Sequence, residues 1–148
     1  VHVAPKPQIP RNAPLCIDIG QETYWRPEHG GALMAFRIRD AQGATRWAHG
    51  AIRDKDGRQR QFDVAQVRFT PLRAWRSPRT GGLYPVAMAI ELGGTRWLLE
   101  PLQDDQELDS RTSTGAVYWE GAVTLERDGQ RAGRGYLEMT GYVKALKL

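Results

Sequence analysis

The sequence predicts an all-β, antiparallel domain. Three observations carry that expectation. Apolar and polar residues alternate with a period of two through most of the chain. Glycine-bearing turn dipeptides separate these stretches at short intervals. No window keeps an apolar period of 3.6 beyond a turn or two. Successive antiparallel strands joined by glycine turns describe a sandwich or an up-and-down barrel.

The elements follow in order. Residues 1–13 carry Pro5, Pro7 and Pro10 and read as an extended arm or linker, ahead of one domain over 14–148. Leu15 to Ile19 alternates like a short strand, and residues 21–31, with Tyr24, Trp25 and Gly30-Gly31, finish it and turn. In Leu33 to Arg39, Met34, Phe36 and Ile38 face one way, Arg37 and Arg39 the other. Asp40 to Gly43 turns into Thr45–Ile52, and Asp54 to Gly57 turns into Arg58–Phe62. Val64 to Phe69 is the next strand. Leu83 to Leu92 and Thr95 to Leu102 flank a Gly93-Gly94 turn. Gln103 to Gly115 reads as a loop in which Asp104 to Leu108 could form one helical turn. Ala116 to Glu126 is the longest strand, and after the Arg127–Gln130 turn Arg131 to Val143 closes the chain.

Charge and composition exclude more than they assign. The net charge is +4, but 17 of the 21 basic residues are arginines spread among acids, so nucleic-acid binding is not expected. A single cysteine, Cys16, permits no intrachain disulfide. No apolar run reaches the length of a membrane span. His2, His29 and His49 are isolated, so no metal site and no cofactor are expected, and His49 reads as an ordinary strand residue. Ser77, Ser110 and Ser113 fit no nucleophile elbow, and no phosphate-binding glycine motif is present.

Aromatic residues gather between Trp75 and Tyr142, which hold three of five tryptophans and four of five tyrosines. In the last two long strands one face carries Tyr118, Glu120, Tyr136, Glu138, Thr140 and Tyr142. The other carries Val117, Trp119, Val123, Leu125, Leu137 and Met139. If the apolar face is inside, Glu120 and Glu138 are surface residues paired with arginines across strands. If the Tyr/Glu face is inside, it encloses a polar-aromatic pocket whose two carboxylates can do acid and base work. Trp75, Tyr84, Tyr118, Trp119 and Tyr136 are the ligand-binding candidates. The acidic run Asp104, Asp105, Glu107 and Asp109 lacks calcium-loop spacing and reads as a charged turn.

One motif string is specific. Trp75-x-Ser77-Pro78-x-Thr80-Gly81-x-x-Tyr84-Pro85 is followed by Pro101, Asp105-Gln106-Glu107-Leu108 and Tyr118-Trp119-Glu120-Gly121. Gly135-Tyr136-x-Glu138-x-Thr140-Gly141-Tyr142 completes it. The string resembles the C-terminal lipocalin-like domain of the AttH/carotenoid 1,2-hydratase family over about half the chain.

The resemblance implies a lipocalin-like (calycin) antiparallel β-barrel of about 8–10 strands. It implies a domain that binds a hydrophobic small molecule, isoprenoid or polyene-like, within a hydratase or cyclase. Relatives usually hold two such domains in tandem, so a second lipocalin-like domain, N-terminal or in another chain, is the expected partner. It also implies a periplasmic or exported location, with the cytoplasm as the alternative. If the chain is catalytic, the chemistry implied is that of a hydratase, isomerase or cyclase acting on an alkene. Glu120 or Glu138 would be the acid, with Tyr118, Trp119 and Tyr136 stabilising the cation. The contrasting expectation is a structural or interaction domain with a filled barrel and no ligand.

Overall fold

The structure, a computed structural model, describes the backbone of residues 16–24 and 31–144, and side chains within 31–144. The proline arm, Trp25 and His29 lie outside the described residues. Ten strands follow one another: β1 (Cys16–Tyr24), β2 (Gly31–Arg39), β3 (Thr45–Asp54), β4 (Gln59–Phe62), β5 (Val67–Arg76), β6 (Leu83–Leu92), β7 (Thr95–Pro101), β8 (Glu107–Ser110), β9 (Ala116–Arg127) and β10 (Gln130–Thr140). Every pairing is antiparallel, and the order across the sheet is β4-β3-β2-β1-β10-β9-β7-β6-β5, with β8 added to β9.

The turns fall where the punctuation put them. Asp40 and Asp54 each fold a carboxylate oxygen back onto two backbone N–H groups of their own turn, at 2.9–3.0 Å. The β9–β10 hairpin turns on Asp128 and Gly129, with φ of 53° and 72°, the paired left-handed geometry that twist-matched hairpins require.

Two elements differ from expectation. β5 continues to Arg76, through Pro71. A proline is tolerated because β5 is an edge of the sheet, and the register shifts on either side of Arg73 absorb the disturbance. The second difference is β8. Residues 107–110 form a strand on β9 where the sequence suggested a loop with a helical turn. The reason is the length of β9: β7 pairs only with residues 123–126, which leaves residues 116–119 for β8.

The sheet is curled so that side chains of its β3–β4 edge pack on those of β5 and β6. β4 and β5 are joined by residues 63–66, so their ends cannot lie far apart. A Cβ at Gly50 of β3 would fall 2.5 Å from Leu92 Cδ2, and the Phe62 ring of β4 packs on Gly93. No backbone ladder joins β4 to β5 among the described residues, so side chains make this seam. The interior is packed. Val86, Met88 and Ile90 of β6, Trp119 and Val123 of β9, and Leu137 and Met139 of β10 are essentially inaccessible to solvent. In β2 it is Leu33, Ala35 and Arg37 that are buried, and the Arg37 guanidinium lies 5.1 Å from the Phe69 ring centre. Met34, Phe36 and Ile38 are only half-buried.

Candidate functional site

The motif residues between Trp75 and Gly121 build one buried joint. The Glu107 side chain is wholly inaccessible to solvent. Its carboxylate accepts from Ser77 Oγ at 2.7 Å, Thr80 Oγ1 at 2.6 Å and the Tyr84 hydroxyl at 2.8 Å. Ser77 and Thr80 sit in the β5–β6 turn and Tyr84 in β6, so three hydroxyls from one hairpin converge on the first residue of β8. Burial alone would raise the Glu107 pKa. The hydrogen bonds from Thr80, Ser77 and Tyr84, with the charge of Arg79, outweigh it and hold Glu107 below the ordinary carboxylate value. The same contact, after burial, pushes the Tyr84 hydroxyl well above its ordinary pKa. Arg79 grips Asp105 through both terminal nitrogens at 2.5 and 2.6 Å, and Arg73 binds Glu100 and Asp104.

Gln106 completes the joint. Its backbone carbonyl accepts from Glu120 N, and its side-chain Oε1 accepts from Ala122 N at 2.9 Å. Its Nε2 donates to the carbonyls of Gln103 and Ala122. The amide thus fills the gap in the ladder between β7 and β8. A Cβ at 121 would overlap this side chain, so the amide keeps its place only against glycine. The Trp119 indole N–H donates to the Asp104 carbonyl at 2.7 Å. These groups are mutually satisfied, and the joint is a staple holding β8 across the sheet.

The second cluster lies on the other face of β9 and β10. Glu120 and Glu138 stand directly opposite each other in the ladder, as do Tyr118 and Thr140. The apolar face is inside, so the two glutamates lie on the outer surface, half-buried. The expected arginine partners are not there: among the described residues neither glutamate forms an ion pair with a basic side chain. Burial first, and then the charge of Glu120, raise the Glu138 pKa. Tyr136 is 40% exposed. Burial first, and then the charge of Glu120, push its hydroxyl above the ordinary tyrosine value.

Of the residues singled out by sequence, the structure therefore brings together Glu120, Glu138, Tyr118 and Tyr136 on the outer face. Trp75 and Tyr84 stack with ring centres 6.2 Å apart, Trp75 half-buried and Tyr84 wholly buried. Trp119 is buried in the same core cluster as Tyr84, its ring pointing away from the outer face. Glu107 was missed as a central residue, because its acidic neighbours made the run look solvated. The available signal was the trio of hydroxyl-bearing motif residues, Ser77, Thr80 and Tyr84, which need a common acceptor. Among the described residues no group of histidine, cysteine and carboxylate side chains could hold a metal ion.

Comparisons with known proteins agree with this geometry. Residues 27–142 match the family profile described as AttH-like. A crystal structure of a Nitrosomonas europaea protein described as AttH is 53% identical, with a TM-score of 0.79 over 89% of this chain. Kievitone hydratase from Nectria haematococca shares the fold at 19% identity, with a TM-score of 0.65 over 88% of this chain. The chain spans 40% of the length of each of those two structures. No curated protein matches it.

Proposed function

The chain belongs to the AttH-like family, and from that membership we propose that it is a ligand-binding domain for an apolar small molecule of the isoprenoid or polyene kind. In this reading the curled sheet is a lipocalin-like barrel left open at one seam. The packed interior argues against a ligand inside it, so the ligand lies against the outer face of β9 and β10. The observation that carries the reading is the Glu120–Glu138 pair, flanked by Tyr118 and Tyr136. Burial and the charge of Glu120 raise the Glu138 carboxyl above its ordinary value, the direction a general acid needs.

The chemistry would be hydration of an alkene. The acid's O–H bond breaks as the π electrons form a C–H bond, leaving a carbocation and a carboxylate. Water adds to the cation and returns a proton to the carboxylate. The tyrosine rings and the ionised glutamate stabilise the cation. A second domain would close the site, as the greater length of the related structures suggests.

Titration with all-trans-retinol, read by quenching of tryptophan fluorescence, tests the reading. Saturable quenching is expected, weakened by Tyr118→Ala. In a longer homologue, incubation with an alkene substrate should yield a product heavier by one water, and the Glu120→Gln, Glu138→Gln double variant should not. Unchanged turnover in that variant would sink the acid role. A second reading, a scaffold without ligand, is favoured by the inward, buried placement of Val117, Trp119, Val123, Leu125, Leu137 and Met139. Flat titrations across retinol and a fatty-acid panel would decide for it.

A further inference from the structure

We infer that the outer face of β2 and β3, together with the basic turn between β3 and β4, is a docking surface for an anionic lipid bilayer. This surface shares no residue with the carboxylate face of β9 and β10.

The first observation is the way β2 is turned. Met34, Phe36 and Ile38 alternate along it with Leu33, Ala35, Arg37 and Arg39. The side that faces the interior is the one with the two arginines. Arg37 is buried against Phe69. The Arg39 guanidinium lies 4.1 Å from the ring centre of Tyr142, which packs on the core. A one-residue shift of the strand would put Met34, Phe36 and Ile38 inside and both arginines in water. Burying guanidinium groups is costly. An outer surface that meets water alone does not account for this register.

β3 continues the apolar face. Ala48 and Gly50 are buried, with Gly50 against Leu92, while Trp47 and His49 point outward. The Phe36 and Trp47 ring centres lie 4.4 Å apart, and Trp47 stacks on His49 at 6.1 Å with 16° between planes. Ile38 stands opposite Trp47 in the ladder and Phe36 opposite His49, so these half-buried side chains form one patch. On β6 and β7 the outer face instead carries Glu91 with Arg96 and Glu100 with Arg73, charges matched within the chain. A contiguous apolar patch on an outer face marks a contact surface.

The charge beside the patch says what it contacts. Arg53, Lys55, Arg58 and Arg60 stand against Asp54 and Asp56, four positive charges less two negative, and all six residues are exposed. The Asp54 carboxylate is turned back onto the N–H groups of Asp56 and Arg58. Among the described residues Lys55, Arg58 and Arg60 form no ion pair. Arg53 follows Trp47 and His49 on the same side of β3, so the basic turn borders the aromatic patch. Tryptophan bordered by lysine and arginine suits the edge of a bilayer, with the ring at the boundary and the cations on anionic headgroups. A ligand of the isoprenoid or polyene kind dissolves in bilayers, so docking would also bring the domain to its ligand, a step that rests on the reading above.

Flotation of the whole chain with lipid vesicles tests this. Binding to phosphatidylglycerol vesicles is expected, much weaker binding to phosphatidylcholine vesicles, and release by salt. Lys55→Ala with Arg58→Ala, both on an exposed turn, should lower the partition about 30-fold through the loss of two basic contacts. Phosphatidylglycerol with brominated acyl chains should quench tryptophan fluorescence, and Trp47→Phe should remove most of that quenching while binding persists. If Trp47→Phe fails to fold, the turn variant decides alone. Absence of binding to phosphatidylglycerol vesicles, or binding that these substitutions leave unchanged, overturns the inference. So does a concentration-dependent dimer that Trp47→Phe weakens, seen without vesicle binding, which would give the face to a second copy. Vesicle binding with no retinol quenching in vesicle-free buffer would leave the docking surface standing and remove the ligand reading. Retinol quenching without vesicle binding would do the reverse.

Discussion

Gln106 lies flat against Gly121, and its side-chain amide stands in for the missing strand opposite Ala122. One amide thus continues the backbone ladder of β9 between β7 and β8. It ties the acidic segment before β8 to the strand that carries Glu120.

Gly121→Ala should displace that amide and leave Ala122 N–H without its partner, while the Ala122 carbonyl keeps the bond from Leu102 N. The expected cost is about 2 kcal/mol, the scale of buried polar groups left unpaired. A lower urea midpoint, with faster amide exchange at Ala122, is the measurement that checks it.

Glu107→Gln keeps the shape of the side chain but removes its charge from beneath three hydroxyl donors. Stability should fall by about 2 kcal/mol, since hydrogen bonds to charged groups are the stronger kind. Tyr84→Phe should cost less, about 1 kcal/mol, because it removes one donor and leaves the other two in place. Urea unfolding of the two single variants and the double variant would also give their coupling, expected to be well below additive.

Acid should weaken this joint in a defined window. The Glu107 pKa in the folded state lies below its ordinary value of 4.5. Its contribution is therefore fully present above that value and is lost as pH falls through the folded pKa. Glu107→Gln should flatten the acid limb of a stability-against-pH curve, while the wild type loses stability there.

Glu138 has the opposite sign. Its folded pKa lies above 4.5, so the native state is penalised as pH rises through it and the group ionises. Glu138→Gln should stabilise the domain at neutral pH by about 0.5 kcal/mol, the scale of one cross-strand like-charge pair. The gain should vanish at pH low enough to protonate both carboxyls. Thermal unfolding at the two pH values checks both halves.

Much of the fold was legible because alternation and turn chemistry act locally. β6 runs from Leu83 to Leu92 as its pattern indicates, and the Asp40, Asp54 and Asp128 turns lie where side chain or glycine can supply the bend. β8 was not legible, because four residues gain strand geometry from the exposed edge of β9 and not from their own pattern. The site was half legible. Period two put Glu120 and Glu138 on one face, but opposition in register depends on the β9–β10 turn and on the bulge between Arg131 and Gly133. Trp119 and Tyr84 looked like ligand contacts, since an aromatic in a core and one in a pocket share the same spacing. The acceptor for Tyr84, 23 residues away, shows only in three dimensions.

The sheet is continuous across its most distant pairing along the chain, yet interrupted between two strands that follow each other directly. Asp18 pairs with Met139, while β4 and β5, only a few residues apart, share no ladder. Bringing the first described strand to the last carries the largest entropic cost of any contact here, because it encloses nearly the whole domain. Folding should therefore wait for the final strand, with two sets of hairpins formed first and zipped together late. The seam costs little to part by comparison. Slow assembly and local breathing would then occur at separate places in the same sheet, and opening the seam would leave the carboxylate face intact.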